Sequence, residues 1–333
     1  MRVLITGGAG FIGSHILLEL LQNNGNFDIC VVDNFCNSTN FCLNRIKDSE
    51  TKAFQVIEVD LRVNASVKEL FESFKPELVI HCAGLKSVGD SEKNPVQYYD
   101  NNVVGALNII KNMELVNCKK LIFSSSATVY GPPKYLPYDE KHPTIPSNVY
   151  GQTKLIVESL IKGWAKVSGS SAISLRYFNP AGAHKSGMIG ETIRNESHNL
   201  LPNINDVLNG KRKKLTVYGN TFDTPDGTGV RDYIHVVDVA RAHVRAMDLL
   251  TSDTNFKVVN LGRGEGTSVL DIVTAFEKVV GTKVPLEFKA ARKGDLPCYW
   301  SDCNLAAKVL NWSCIYSIED ICQDSWNWSR WFH

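Results

Sequence analysis

No run in this 333-residue chain approaches the roughly 18 uninterrupted apolar residues that a membrane-spanning helix needs, so no membrane partner is expected. An excess of charge is also missing. Lys and Arg number 36 against 35 Asp and Glu, a formal net charge of +1. Without a basic field, nucleic acid is not an expected partner. The one basic run, Lys211-Arg212-Lys213-Lys214, reads as a solvated loop or helix end. Paired cysteine motifs are absent too. The nine cysteines (Cys30, Cys36, Cys42, Cys82, Cys118, Cys298, Cys303, Cys314 and Cys322) are odd in number, scattered, and contain no C-x-x-C. That argues against a disulfide framework and for reduced thiols in a cytoplasmic protein. The first residues, Met-Arg-Val-Leu-Ile-Thr-Gly-Gly, lack the longer apolar core and cleavage site of a secretory signal. The five Asn-x-Ser/Thr triplets, at Asn37, Asn64, Asn195, Asn311 and Asn327, are therefore not expected to be glycosylated. There is no internal repeat and no low-complexity tract.

What is present is the composition of an ordinary globular protein, with 44% hydrophobic and 21% charged residues. Short apolar strands alternate with helical patterns. Strands are expected over 3–5, 29–33, 56–59, 78–81, 121–124 and 172–177. Helices are expected over about 12–23, 67–74, 96–116 and 149–167. This rhythm predicts an α/β fold of Rossmann type, a doubly wound parallel sheet covered on both faces. After Phe178-Asn179-Pro180 the rhythm breaks, and loops rich in Gly, Asn, Asp and Pro are expected over 179–230. We therefore expect a domain of residues 1–178 and a smaller mixed α/β domain of 179–333. Residues 231–262, with a strand-like start, a helix and a strand over 257–261, are expected to pack back on the first domain.

Gly7-x-x-Gly10-x-x-Gly13 lies between the first strand and the first helix, the context in which this spacing cradles a pyrophosphate. Glycines let the backbone turn and approach the phosphates, and the helix N-terminus offers free N–H groups. Asp33 ends the second strand, twenty residues after Gly13. A carboxylate there can bind a ribose 2′-hydroxyl and would repel a 2′-phosphate, which favours NAD over NADP. Asp60-Leu61 follows the third strand and Cys82-Ala83-Gly84-Leu85-Lys86 the fourth, at the carboxyl edge where such sheets bind ligands.

Tyr150 and Lys154 are four apart on the helix expected over 149–167, hence on one face and about 6 Å apart along the axis. A cation beside a phenol favours the phenolate. From a free pKa of about 10, work near neutrality demands a lowering worth about 4 kcal/mol. Ser124-Ser125-Ser126 ends the fifth strand on the same edge, where a hydroxyl can bridge the phenol and a substrate hydroxyl. Base, cation and hydroxyl beside a dinucleotide suit removal of a hydride from a carbinol, with acid–base help worth about 10²–10⁴ in rate. His235 and His243, eight apart, have no third ligand type near them in sequence, so they are read as structural and no metal is expected. Trp312, Trp326, Trp328 and Trp331 are read as packing the C-terminal segment.

Over almost its whole length the chain resembles the extended short-chain dehydrogenase/reductase family, in its UDP-galactose (UDP-glucose) 4-epimerase branch. The resemblance rests on Val32-Asp33-Asn34-Phe35-Cys36-Asn37-Ser38, Ala83-Gly84-Leu85-Lys86, Tyr98-Tyr99-Asp100-Asn101-Asn102, and the run from Phe123 to Gly131. It extends through Leu175-Arg176-Tyr177-Phe178-Asn179-Pro180, the run from Gly227 to His235, and Gly294-Asp295-Leu296-Pro297. It implies a tightly held NAD that oxidises the sugar at C4, a 4-keto sugar that turns over, and return of the hydride to its other face. It implies Tyr150 as base, Lys154 as the cation that lowers its pKa and holds the nicotinamide ribose, and Ser126 as the hydroxyl on the 4-oxygen. Phe11, Ile12, Asp33, Asn34, Asn37, Ser38, Asp60, Leu61, Lys86, Asn101 and Phe178 fall at its cofactor positions.

In the second domain, Asn179, Asn199, Leu200, Thr216, Val217, Tyr218, Arg231, Arg292 and Asp295 match positions that hold the UDP-sugar. Arginine's planar fork suits a diphosphate, which Arg231 and Arg292 would clamp, and Asp295 would take the uridine ribose. A bulky Tyr299 implies crowding at the sugar's C2 substituent and poor use of UDP-GalNAc. The family also suggests a homodimer through paired helices, with those over 96–116 and 150–167 as the candidates. Where the family often has Gly-Glu-Asp-Pro the chain has Gly190-Glu191-Thr192-Ile193, followed by Arg194-Asn195-Glu196-Ser197-His198, and it also departs at Cys82. A 4,6-dehydratase on the same fold would carry Asp-Glu after the catalytic hydroxyl, where this chain has Ala127-Thr128. A non-catalytic NAD-binding sensor would be expected to lose Tyr150 or Lys154.

Overall fold

A computed structural model of the chain describes residues 1–192, 199–251, 255–292 and 294–331. The first half alternates strand and helix: β1 (Arg2–Thr6), α1 (Phe11–Gln22), β2 (Asp28–Asp33), α2 (Phe41–Ser49), β3 (Gln55–Glu58), α3 (Asn64–Phe74) and β4 (Leu78–His81). Then come α4 (Val88–Lys93), α5 (Pro95–Tyr98), α6 (Gly105–Leu115), β5 (Lys120–Ser126), α7 (Val149–Ser168) and β6 (Ser171–Tyr177). The second half holds β7 (Asn179–Ala181), α8 (Leu200–Leu208), β8 (Leu215–Tyr218), β9 (Val230–Arg231), β10 (Tyr233–His235), α9 (Val236–Ala246) and β11 (Phe256–Leu261). It ends with β12 (Thr267–Ser268), α10 (Val269–Val280), β13 (Leu286–Lys289), β14 (Cys298–Tyr299), α11 (Asn304–Leu310) and α12 (Ile318–Trp331).

Seven of these strands form one sheet in the order β3-β2-β1-β4-β5-β6-β11, every neighbouring pair parallel. The order reverses between β1 and β4, which opens a crevice at their carboxyl ends. Strand alternation sorts the core into two layers. Val3, Ile5, Ile80 and Ile122 pack with residues of α1 and α9 on one face. Leu4, Val79, Leu121 and Phe123 pack with residues of α3, α6 and α7 on the other. Each such apolar side chain contributes about 1.5–3 kcal/mol by leaving water. Helix α1 is buried almost all round because it lies between the sheet and α9.

The expected helix over 96–116 is interrupted by a π-helical turn at Tyr99–Val104. That widening carries Asn101 and Asn102, and such turns are common at functional sites. The expected loop region 179–230 contains β7, α8, β8 and β9. Helix α8 buries Leu201, Ile204 and Val207, and its Pro202 is tolerated because it falls in the first turn. Strand β8 exists through parallel pairing with the distant β13, which no local pattern displays. Strand β11 lies beside β6 on the main sheet. Of the four C-terminal tryptophans, Trp312 and Trp328 are buried, whereas Trp331 is 66% exposed. Residues 193–198 of the divergent segment, including Asn195, lie outside the described residues.

Candidate active site

The glycine loop closes tightly over the sheet edge. Gly7 has φ +68°, and a Cβ on it would come within 2.6 Å of the Ala83 backbone. A Cβ on Gly13 would meet the Gly7 carbonyl oxygen at 2.3 Å. No side chain caps α1 at Gly10, which leaves the N-terminal turn of Phe11, Ile12 and Gly13 to a ligand. Asp33, at the end of β2, is buried. Its Oδ2 accepts from Ala9 N at 3.1 Å, and its Oδ1 accepts from Phe35 N and Ser38 Oγ, each at 2.9 Å. A carboxylate offers about four acceptor positions, so capacity remains for a sugar hydroxyl. Asn34 Oδ1 accepts from Cys36 N at 3.2 Å, shaping the turn that leads to Asn37.

Asp60 pairs with Arg62 at 2.6 Å, and the Arg62 guanidinium holds its carboxyl down at about 2. Leu61 is buried, and its carbonyl accepts from Asn108 Nδ2 at 2.8 Å. After β4, Cys82, Ala83 and Gly84 run past the glycine loop, with Cys82 N donating to the Thr6 carbonyl at 3.0 Å. Asn101 donates to Asn102 Oδ1 at 3.1 Å, and Asn102 Oδ1 also accepts from Leu85 N at 2.8 Å. Lys86 pairs with Glu191 at 2.7 Å, and Asn199 donates to the same carboxylate at 3.1 Å. Glu191 thus ties two expected ligand residues together. A dinucleotide fits these residues: a tight glycine turn, an uncapped helix N-terminus and a carboxylate with acceptor capacity face one crevice.

Helix α7 is capped by Asn148, whose Oδ1 accepts from Gly151 N at 2.8 Å. That places Tyr150 and Lys154 on successive turns, both buried. Lys154 Nζ donates to the Ser124 carbonyl at 2.8 Å and lies 4.8 Å from the centre of the Phe123 ring and 5.8 Å from that of Tyr150. Ser126 Oγ accepts from Thr128 Oγ1 at 2.9 Å and neighbours the Tyr150 phenol. Burial pushes the phenol up to about 12, opposed only by the Ser126 hydroxyl. Burial likewise pushes Lys154 down to about 8, with Cys82 and Glu158 opposing.

The Ser124 side chain turns away from Tyr150. Its Oγ lies 3.0 Å from His243 Nε2 and 3.1 Å from Cys82 Sγ. His243 and His235, eight apart in sequence, have separate partners. His243 meets Ser124, and His235 Nε2 lies 3.3 Å from Asp324. Among the described residues no cluster of His, Cys, Asp and Glu could hold a metal ion.

Beyond the sheet edge, Ser126 is in register with Tyr177, so Phe178 and Asn179 follow beside it. Tyr299 donates to Asn179 Oδ1 at 2.9 Å, and its ring lies 5.9 Å from that of Phe178. Arg231 is the register partner of Tyr299, with its guanidinium 4.8 Å from that ring. Arg292 lies 4.0 Å from the Tyr218 ring centre, and its backbone N donates to Asp295 at 3.3 Å. Thr216 donates to Glu287 Oε1. Val217 and Leu200 belong to the core packing of this half, so Val217 can offer a ligand only its backbone. Sequence reasoning missed Asn102, Glu158, Arg176 and Glu191. Asn102, Glu158 and Arg176 are buried, and each of the four has a contact with a residue distant in sequence.

The comparisons with known proteins agree with this geometry. The profile of the NAD dependent epimerase/dehydratase family matches residues 3–262. A UDP-glucose 4-epimerase of Cyamopsis tetragonoloba is 46% identical over 98% of this chain and 94% of its own length. One from Bacillus subtilis is 45% identical over 98% of this chain and 96% of its own. The crystal structure of UDP-glucose 4-epimerase from Bifidobacterium longum, in complex with NAD+ and UDP, superposes with a TM-score of 0.94 at 43% identity. That superposition covers 99% of this chain and 98% of the other. The chain belongs to the NAD dependent epimerase/dehydratase family, in its UDP-glucose 4-epimerase branch.

Proposed function

We propose that the protein interconverts UDP-galactose and UDP-glucose, oxidising the sugar at C4 and reducing it on its opposite face. The observation that carries this is the grouping of Tyr150, Lys154 and Ser126 at the carboxyl edge of β5, with Gly84 against Lys154 and the glycine cradle beyond it. Bound NAD would supply a hydride acceptor and donor for C4, and the positive charge of its oxidised form would favour a phenolate. Tyr150 takes the proton of the 4-hydroxyl and gives it back when the 4-keto sugar has turned over. Ser126, held by Thr128, hydrogen-bonds the 4-oxygen. Lys154 keeps a cation beside the phenol and reaches the nicotinamide ribose. Asp33 and Ser38 hold the adenosine ribose, and Asp60 the adenine side.

Arg231 and Arg292 clamp the diphosphate of the substrate, and Asp295 takes the uridine ribose. Tyr299, fixed by Asn179, limits the space at the sugar's C2. No carboxylate follows Ser126, so the acid and base that water loss would require are lacking in a 4,6-dehydratase sense. The working unit is a homodimer formed through α5, α6 and α7, a surface where Val96 is 80%, Ile156 42% and Val167 89% exposed. The free cysteines fit a reducing cytoplasm. Purified protein given NAD and UDP-galactose should form UDP-glucose with no net NADH, and failure to form UDP-glucose overturns the reading.

A further inference from the structure

One buried charge pair plays no part in this scheme. Glu158 and Arg176 are 3% and 5% exposed. Arg176 Nη2 and Nε donate to Glu158 Oε2 and Oε1 at 2.5 and 2.9 Å, and Ser125 Oγ donates to Oε1 at 2.5 Å. The guanidinium also lies 4.8 Å from the centre of the Tyr130 ring, whose hydroxyl donates to Asn260 Oδ1 at 2.6 Å. Stability alone is a weak reason for such a pair, because apolar replacement of both partners is often neutral or stabilising.

Position supplies a better reason. Tyr150, Lys154 and Glu158 follow one another at intervals of four along α7. Three consecutive serines of β5 meet them: Ser126 at Tyr150, the Ser124 carbonyl at Lys154 and the Ser125 hydroxyl at Glu158. Arg176, the register partner of Ser125 on β6, closes the third rung. We propose that Glu158 and Arg176 are positioning residues that lock α7 in register against β5 and β6 and keep a negative charge one helical turn from Lys154. This rests on the reading of Tyr150, Lys154 and Ser126 given above.

The charge matters because burial lowers the Lys154 pKa to about 8 while Cys82 and Glu158 oppose the fall. His81 and Tyr150 also face Lys154. Without the Glu158 carboxylate, Lys154 loses its proton at lower pH.

The test uses the full chain with NAD bound and compares Glu158→Gln, the double variant Glu158→Leu/Arg176→Met, and Tyr150→Phe. Glu158→Gln should lower kcat by about 10²-fold, the scale of a small misplacement, and change KM by less than about threefold. It should also move the alkaline limb of kcat to lower pH. The double variant should melt like the parent yet keep the kcat loss. Parental kcat and pH profile in the double variant would mean a purely structural pair and overturn the proposal. If Glu158→Gln does not fold, the double variant decides alone. If neither folds, Ser125→Ala decides: parental kcat and alkaline limb overturn the proposal, and loss in both supports it. Full turnover by Tyr150→Phe would instead remove the assignment of Tyr150, whatever the Glu158 variants do.

Discussion

Lys154 donates its 2.8 Å hydrogen bond to the carbonyl of Ser124, while the Tyr150 ring centre lies 5.8 Å from the same ammonium. The strand end, rather than the phenol, therefore fixes where the cation stands. Burial then works on both groups in opposite directions, raising Tyr150 to about 12 and lowering Lys154 to about 8. The pair thus consists of a phenol reluctant to ionise and a cation close to losing its charge. Each further positive or negative charge brought near the pair has large leverage, because both groups are buried.

The first consequence is an alkaline limb in the rate. In the proposed mechanism Lys154 acts as a cation beside the phenol, and burial lowers its pKa to about 8, so that charge is lost as pH rises past that value. kcat should fall above about pH 8. Lys154→Met should abolish the limb and lower kcat near neutrality by about 10²–10⁴. Steady-state kcat between pH 6 and 10, for parent and variant, checks both points. A parental limb persisting in Lys154→Met assigns the ionisation elsewhere.

Asp33 offers a test of cofactor choice. Its carboxylate collects Ala9 N, Phe35 N and Ser38 Oγ, a set of donors that an amide can satisfy on only one of its two atoms. Asp33→Asn should cost about 1–3 kcal/mol of stability through the unmatched donor. It should also reduce the NAD that purifies with the protein. Because the charge that repels a 2′-phosphate is gone, the ratio of bound NADP to bound NAD should rise. Identifying the cofactor released on denaturation measures this, and an unchanged ratio would remove Asp33 from the ribose site.

Much of this site is legible in the sequence because its parts are local. Gly7, Gly10 and Gly13 lie in one turn, and Tyr150 and Lys154 in one helix, so spacing alone brings each set together. Ser126 and Asp33 are readable because each ends an apolar strand on the carboxyl edge of the sheet. Other contacts are tertiary. Glu158 meets Arg176 across a helix–strand interface, and Ser124 meets His243 from 119 residues away. Polar residues in an apolar run carry no sign of which partner satisfies them. The β8–β13 pair is hidden for the same reason, since four-residue strands gain their stability from a distant neighbour.

His243 ties the site to acid stability. Its Nδ1 contacts the Val239 carbonyl at 2.9 Å, so that nitrogen carries the proton and Nε2 accepts from Ser124. Burial lowers its pKa to about 4, well below the value of about 6.5 in an unfolded chain. Between these values the unfolded chain binds more protons, so stability falls as pH falls from about 6.5 to about 4. His81 and His15, lowered by burial to about 3, act in the same direction. His243→Phe should flatten the dependence by about 1.4 kcal/mol per pH unit in this window. Urea unfolding at pH 6.5, 5.5 and 4.5 reads the slope, and a variant as steep as the parent would count against this role.

The proposal that Tyr299 limits the sugar at C2 can be tested through the contacts that hold the side chain. Its hydroxyl is held by Asn179, its ring packs near Phe178, and Arg231 lies over its face, so it cannot swing aside without breaking all three contacts. A side chain pinned this way presents a fixed wall rather than a movable lid. Tyr299→Ala should raise kcat/KM for UDP-GalNAc relative to UDP-galactose by about tenfold or more, the scale on which pocket volume discriminates. Losing the stacked ring should also weaken the Arg231 contact, so KM for both substrates should rise while their ratio shifts toward the N-acetylated sugar. Parallel assays with the two substrates separate these effects. Parental protein that turned over UDP-GalNAc as fast as UDP-galactose would show that the wall is not at C2.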